Sequence, residues 1–277
     1  MKLKSLLQHD FIQAFESLLV TPFEKKLFIA SLRNYCSHGN PLRFHNFAFS
    51  MRELVLHIIA RRAPVEKVME TNWYEKEHER FDVTRRQQLK FCAQGYLSDE
   101  FFSKVDLKEL NNNIKFYLKK FNFFNKYTHI TEKHLEPNPK QFYSDMKFII
   151  EFSQEVVEQL ESWDNIVVAA VENRCQDQIF QSVINNFPDE LMIIANNVVI
   201  EAIHPEELDI ISVSEENIEV SVDGTLYVSQ EFGKGDDFTE MANNYPFSIS
   251  LEVSVDDPNN ITVDPSSIEV DTSSWFE

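Results

Sequence analysis

The residue pattern predicts an α+β protein, an all-helical bundle over residues 1–190 followed by a small acidic antiparallel β domain, sandwich-like or barrel-like, over 191–277. Through the first part, apolar residues recur every three or four positions, the period of a helix with one buried face. From Leu191 onward they give way to short β-branched runs divided by turn residues. Charge divides near the same place: residues 1–150 hold 24 Lys and Arg against 17 Asp and Glu, a net of +7, and 151–277 hold 2 against 28, a net of −26.

Taken in order, Leu3, Leu6, Leu7, Phe11, Ala14, Phe15 and Leu18 form one apolar stripe that should end before Thr21-Pro22. A second helix is expected from Pro22 to about Ser37, burying Phe23, Leu27, Ala30 and Leu32, with Gly39 as its stop. A third runs from about Leu42 to Arg62 with Phe47, Met51, Leu54, Val55, Ile58 and Ile59 inward. After the charged run Glu75 to Arg80, which reads as helix or as solvated loop, helices are expected at Thr84–Ala93, Leu107–Phe121, Pro139–Trp163 and Asn165–Asn186. Expected strands are Asn197–Ile203, Asp209–Val213, Ile218–Val222, Leu226–Ser229, Phe247–Val255 and Ile268–Val270, with Asp223-Gly224 as a two-residue hairpin turn. Ile249, Leu251, Val253 and Val255 alternate with polar residues, as on a strand with one wet face.

Several function classes fall away at once. The five glycines include no Gly-x-Gly-x-x-Gly and no Gly-x4-Gly-Lys arrangement, so the loops that cradle nucleotide phosphates are missing and no cofactor is expected. The longest apolar run, Ile166 to Val171, is far short of the roughly 20 residues that span a bilayer, so no membrane association and a cytoplasmic location are expected. Cys36, Cys92 and Cys175 lie far apart, which favours reduced thiols over disulfides or a Cys-based zinc site, and no metal site is expected.

Cations and seven of the eight histidines concentrate in the first half, so a nucleic-acid substrate would meet that half. The −26 segment fits solubility, docking of a basic partner, or an intramolecular cover over the basic half. The most specific local feature is Leu32-Arg33-Asn34-Tyr35-Cys36-Ser37-His38-Gly39. In an unbroken helix Arg33 and His38 would sit about 140° apart. If the helix ends near Ser37, both can line one pocket. Arg offers a fixed cationic fork for phosphate, and His transfers protons near neutral pH. That pair suffices for attack of a ribose 2′-hydroxyl on its own phosphate, chemistry that needs RNA. A second segment, Phe124 to Ile130, repeats a basic residue followed by Thr and His, and makes Lys126, Tyr127 and His129 candidate substrate-binding residues. Around it Lys115, Lys119 and Lys120 interleave with Phe116, Tyr117, Phe121, Phe123 and Phe124, a mixture that can stack bases or form a Phe-rich core.

Arg-Asn-x-x-Ser-His-Gly on apolar-striped helices resembles the Arg-x4-6-His motif of HEPN domains, whose Arg is usually followed by a polar residue. The resemblance implies a helical, metal-independent ribonuclease of a bacterial toxin or anti-phage system, often dimeric, with Arg33 and His38 catalytic and Asn34 at the polar position. The layout of helical front and acidic β back, with Tyr245-Pro246-Phe247-Ser248-Ile249 entering a strand, is also similar to predicted nucleases found beside prokaryotic Piwi-type proteins. It implies the same theme of defence against invading nucleic acid.

Two rival readings stand beside it. A restriction-type metal nuclease needs carboxylates and an acid-x-Lys on adjacent strands; Glu24/Lys26, Asp106/Lys108 and Asp145/Lys147 match the triplet but fall in helical patterns. Asp236, Asp237, Asp256 and Asp257 fit turn chemistry better than calcium binding. A non-enzymatic subunit of a larger defence complex, whose acidic β domain binds a basic partner or mimics nucleic acid, is the alternative from another class.

Overall fold

The computed structural model of the protein describes residues 2–130, 138–163, 165–172, 185, 188–195, 197–233 and 237–275. They form two compact units: a helical one from Met1–Glu70, Tyr74–Gly95 and Lys104–Ile166, and a β unit from Thr71–Trp73, Tyr96–Ser103 and Val167–Glu277.

In the helical unit the expected first helix is broken into α1 (Leu3–Leu6) and α2 (Asp10–Ser17). His9 is extended at the break, and Asp10 begins the new helix where a carboxylate complements the helix dipole. The break re-aims the stripe, so Leu6, Ile12, Phe15 and Leu19 are the buried residues. Next comes α3 (Pro22–Cys36), started by a capping box in which the Thr21 hydroxyl accepts from the Glu24 amide and the Glu24 carboxylate accepts from the Thr21 amide. Glu24 also accepts from the Val20 amide and from Arg61 Nε at 2.7 Å, and is fully buried. Burial alone would raise its carboxyl pKa; the Thr21 and Val20 amides and the Arg61 guanidinium outweigh that and hold it below the ordinary value. This capping role turns the buried face of α3 to Glu24, Phe28, Ser31, Leu32 and Tyr35. Phe23, expected inside, is instead 54% exposed and lies against the His57 ring.

At the centre of the unit is α4 (Arg43–Arg62), with contacts to α3 and to two later helices, α7 (Lys104–Thr128) and α8 (Pro139–Ser162). Its expected inward face is fully realised: Phe47, Met51, Leu54, Val55, Ile58 and Ile59 are all buried. Each large apolar side chain removed from water there contributes about 1.5–3 kcal/mol. After α5 (Val65–Met69), the charged run Glu75 to Arg80 is a loop, pinned by Lys76–Asp82 and Arg86–Glu77 ion pairs. A second capping box, Thr84 with Gln87, starts α6 (Arg85–Gln94). The long α7 (Lys104–Thr128) and α8 (Pro139–Ser162) complete the unit. The helix expected at Asn165–Asn186 is described as helical over 165–172; most of the rest lies outside the described residues.

In the β unit, α9 (Asp189–Ile194) leads into one antiparallel sheet: β1 (Asn197–Val213), β2 (Asn217–Phe232), β3 (Thr239–Ser254), β4 (Ile261–Val263) and β5 (Glu269–Val270). Its order is β1-β2-β3-β4, with β5 also on β3. Among the described residues the sheet is open and single, neither closed into a barrel nor doubled into a sandwich. The reason is strand length: pairs of expected short strands fuse into strands of 16 or 17 residues. Asp223-Gly224 is therefore no hairpin turn. Gly224 lies inside β2 between Pro205 and Phe247, where an added Cβ would stand 2.3 Å from the His204 carbonyl oxygen. Close approach of backbones, not a turn, demands glycine here. The real β1–β2 turn is at 214–216, where Ser214 accepts from the Asn217 amide. One face of the sheet is dry, with Ile218, Val220, Val222, Ile249, Leu251 and Val253 all at 1% exposure or less.

Candidate active site

The turn from α3 to α4 is built by short-range polar contacts. Arg33 lies in the last turn of α3, where a cation complements the carboxyl end of the helix dipole. The helix stops at Cys36: the Ser37 amide donates to the Asn34 carbonyl, and the Ser37 backbone leaves the helical region. Gly39, the expected stop, has no positive φ and is not required for it. The amide of Asn40 then donates to the Ser37 carbonyl, and Asn40 accepts from the Leu42 amide through its side chain and from the Arg43 amide through its backbone. A single Asn thus closes one helix end and opens the next.

Within this turn, the Nη1 group of Arg43 donates to His38 Nδ1 at 2.6 Å. A guanidinium can only donate, so Nδ1 is the acceptor of this contact. The guanidinium carbon of Arg43 lies 4.5 Å from the centre of the Phe142 ring of α8. Phe142 also stacks on Tyr35, with centroids 5.1 Å apart and an interplanar angle of 19°, and contacts Phe44. Arg43 is therefore clamped, with His38 on one of its nitrogens and an aromatic ring beside it. His38 and Arg33 are both exposed, Asn34 and Arg43 half-buried.

The neighbouring nucleophiles are quiet. Burial pushes the Tyr35 hydroxyl up to about 12, against the pull of Arg43, so it stays protonated near neutral pH. Burial also raises the Cys36 thiol, which keeps it from the thiolate form that reacts. What remains is a histidine flanked in sequence by two arginines, five residues away on either side, an arrangement suited to holding a phosphate and moving a proton.

Of the other expected site residues, Lys126 and Tyr127 belong to the last turns of α7, but their side chains lie outside the described residues. His129 follows the helix and is exposed. The three acid-x-Lys triplets lie on helices α3, α7 and α8 rather than on adjacent strands, and Glu24 is already committed to the capping box and Arg61. Among the described residues no three His, Cys, Asp or Glu side chains converge as metal ligands. Of the expected aspartates in the β unit, Asp256 accepts from Asn72 and Asp257 from the Asn259 amide, the latter an ordinary turn contact; Asp236 lies outside the described residues. No helix among the described residues is long and apolar enough to cross a membrane.

Arg43 is the residue that sequence reasoning missed. The signal was a second arginine at the same spacing on the far side of His38, hidden because a loop with Gly39 and Pro41 intervenes.

In this chain a helical unit that exposes His38 and Arg33 is followed by an acidic β unit. Family comparison covers both parts. Residues 16–159 match the first domain of the predicted pPIWI-associating nucleases, and residues 160–276 match the second. The chain belongs to that family. The likeness read from the helical front, acidic back and Tyr245-to-Ile249 strand entry is thereby borne out, and it extends to residue 16. No curated protein and no solved structure matches the chain.

Proposed function

We propose that the protein is a metal-independent endoribonuclease of a defence system, with His38 as general acid/base and Arg33 and Arg43 holding the scissile phosphate. The observation that carries this reading is the 2.6 Å contact of Arg43 with His38 at an exposed helix junction one turn beyond Arg33. Membership of a predicted nuclease family supports the substrate class, and the HEPN-like Arg-x4-His spacing supports RNA.

In the proposed reaction the 2′-oxygen bonds to the adjacent phosphorus while its proton passes to a base. The bond from phosphorus to the 5′-oxygen breaks, and that oxygen takes up a proton. The products are a 2′,3′-cyclic phosphate and a free 5′-hydroxyl. As charge grows on the phosphorane oxygens, the arginine forks stabilise it. An incoming phosphate competes with His38 for the Arg43 guanidinium. Once Arg43 turns to the anion, Nδ1 is released to accept a proton, so substrate binding itself arms the histidine.

The test is cleavage of cellular and synthetic RNA by the purified chain in EDTA, beside His38→Ala, Arg33→Ala and Arg43→Ala. Loss of about 100-fold or more in the His38 variant is expected, together with no cutting of a substrate whose 2′-hydroxyl at the cut site is replaced by hydrogen. Cleavage that survives His38→Ala, or that vanishes with EDTA, overturns the proposal.

A second reading has its own observation. Across β2 and β3, Glu219 stands directly opposite Glu252, and Glu231 opposite Glu240. Like charges so placed are unfavourable. A cationic partner laid on that face would relieve them, so the sheet is a docking surface for a basic protein under this reading. Co-migration with a polylysine probe that is lost on Glu219→Gln and Glu252→Gln substitution would support it; unchanged binding would remove it.

A further inference from the structure

Between α7 and α8 lies an open cleft of about 340 Å³, lined by Phe116, Lys119, Lys120, Phe148 and Phe152. Two of its three rings are unlike the rest of the aromatic core. Phe124 and Phe152 are 0% and 3% exposed, but Phe116 keeps 50% and Phe148 47% of its surface in solvent. Phe148 lies nearly parallel to Phe152, with an interplanar angle of 9° and centroids 6.3 Å apart, which makes an aromatic step at the cleft. Lys120 sits over both walls, its ammonium 4.5 Å from the Phe116 centroid and 5.0 Å from that of Phe152.

The charges around the cleft do not balance. On α8, Glu155 is paired with Lys120 and Glu151 with Lys147. On α7, Lys115 and Lys119 lie one turn apart on the same face, both exposed, and among the described residues neither makes an ion pair. Exposed rings edged by uncompensated ammonium groups meet two requirements of an unpaired nucleic-acid strand, a flat face for each base and a cation for each phosphate. A second protein surface would need the apolar part, and only one carrying carboxylates would also use the two lysines.

We propose that this cleft is a binding groove for single-stranded RNA, with bases stacking on Phe116 and Phe148 and Lys115 and Lys119 following the backbone. The choice of RNA rests on the ribonuclease reading above; the groove itself rests on the rings and charges. The two sites share one helix. Phe142, which supports Arg43, and Phe148, which lines the cleft, are six residues apart on α8, about 9 Å along the axis and about 120° around it. Only unpaired bases expose faces that can stack on these rings, which makes the cleft the element that selects unpaired over paired RNA.

The test is fluorescence anisotropy of a fluorescein-labelled single-stranded RNA of mixed sequence, in EDTA at low salt, with the full chain carrying His38→Ala to prevent cutting. On that background Phe116→Leu and Phe148→Leu keep apolar volume and remove the ring, and each should weaken binding about tenfold. Lys119→Glu, at an exposed position where the fold is not at risk, should weaken binding and lower its salt dependence by about one counterion or more. The same sequence annealed into a duplex should bind at least about tenfold more weakly than the single strand. Unchanged affinity in the Phe variants, equal affinity for the duplex, or a dimer of the chain that dissociates on Phe148→Leu would overturn the groove. The two proposals fail separately. A chain that still cuts RNA while the cleft variants bind as before loses the groove alone; a chain that binds through the cleft and never cuts loses the ribonuclease alone.

Discussion

The helical and β units solve opposite electrostatic problems. In the helical unit carboxylates are matched: Glu24 with Arg61, Glu77 with Arg86, Asp82 with Lys76, Glu151 with Lys147 and Glu155 with Lys120. On the strands of the β unit, among the described residues, no carboxylate has a cationic side chain within ion-pair distance. Its glutamates take hydrogen bonds from neutral donors, as Glu219 does from Ser212 and Glu231 from Asn197. A net charge of −19 for the whole chain thus conceals one unit held partly by ion pairing and another held by an apolar face against its own repulsion. Perturbations should separate the two.

The largest effect belongs to the β unit and has nothing to do with charge. Gly224→Ala places a methyl group against the His204 carbonyl and the Phe247 ring, and should destabilise by about 3 kcal/mol. Hydrogen exchange should show the loss first in the β2 and β3 amides. If the α3 and α4 amides lose protection equally, the two units unfold together and the comparison fails at the level of cooperativity.

Next is Glu24→Ala, which strips the Thr21 and Val20 amides and Arg61 of their acceptor. Arg61 is about a third exposed, so its share is reduced by solvent, and about 2 kcal/mol is expected from urea or thermal unfolding. The same carboxylate sets a pH dependence. Its folded pKa lies below the unfolded value, so the unfolded state binds the proton more readily. The stabilisation is present above the unfolded pKa of about 4.3 and is lost as pH falls through the folded one. Glu24→Gln should flatten that part of the acid limb; an unchanged limb would show that other carboxylates dominate it.

The smallest effect is the one most specific to the sheet. Glu252→Lys converts a like-charged cross-strand pair into an attractive one and should stabilise the β unit by about 0.5 kcal/mol. Added salt should raise exchange protection in β2 and β3 by screening the same repulsion, and do the reverse near Glu24. A β unit indifferent to both would mean that its glutamates are already too well solvated to repel.

How legible this was from residues alone varies with the range of the interaction. The inward face of α4 and the alternation of Ile249, Leu251 and Val253 are local periodicities, and both appear as expected. Phe23 is hydrophobic but exposed because the capping box claims the next residue, Glu24, for the interior. Asp223-Gly224 reads as a turn in any local window; only the neighbouring strands, bringing His204 and Phe247 against it, reveal why a glycine stands there. At the site, Arg33 and His38 were visible as a spaced pair, and the helix does end just before His38. The clamp on Arg43 was not visible, since Phe142 arrives from about a hundred residues away. The cleft was half visible: the lysines and Phe116 of α7 were in view, while Phe148 comes from the other helix.

The outermost strand carries one more consequence. β1 pairs with β2 on one side and, among the described residues, with nothing on the other, and it runs for 17 residues. Its pairing register shifts at three places, between Ile200 and Ala202, Pro205 and Glu207, and Ile210 and Ser212. Pro205 has no amide hydrogen to offer, and Glu201, Glu206, Glu207 and Asp209 line the same strand. A second molecule approaching that rim finds an interrupted, negatively charged row instead of a straight template, so a sheet built from long strands is kept from growing into a fibre.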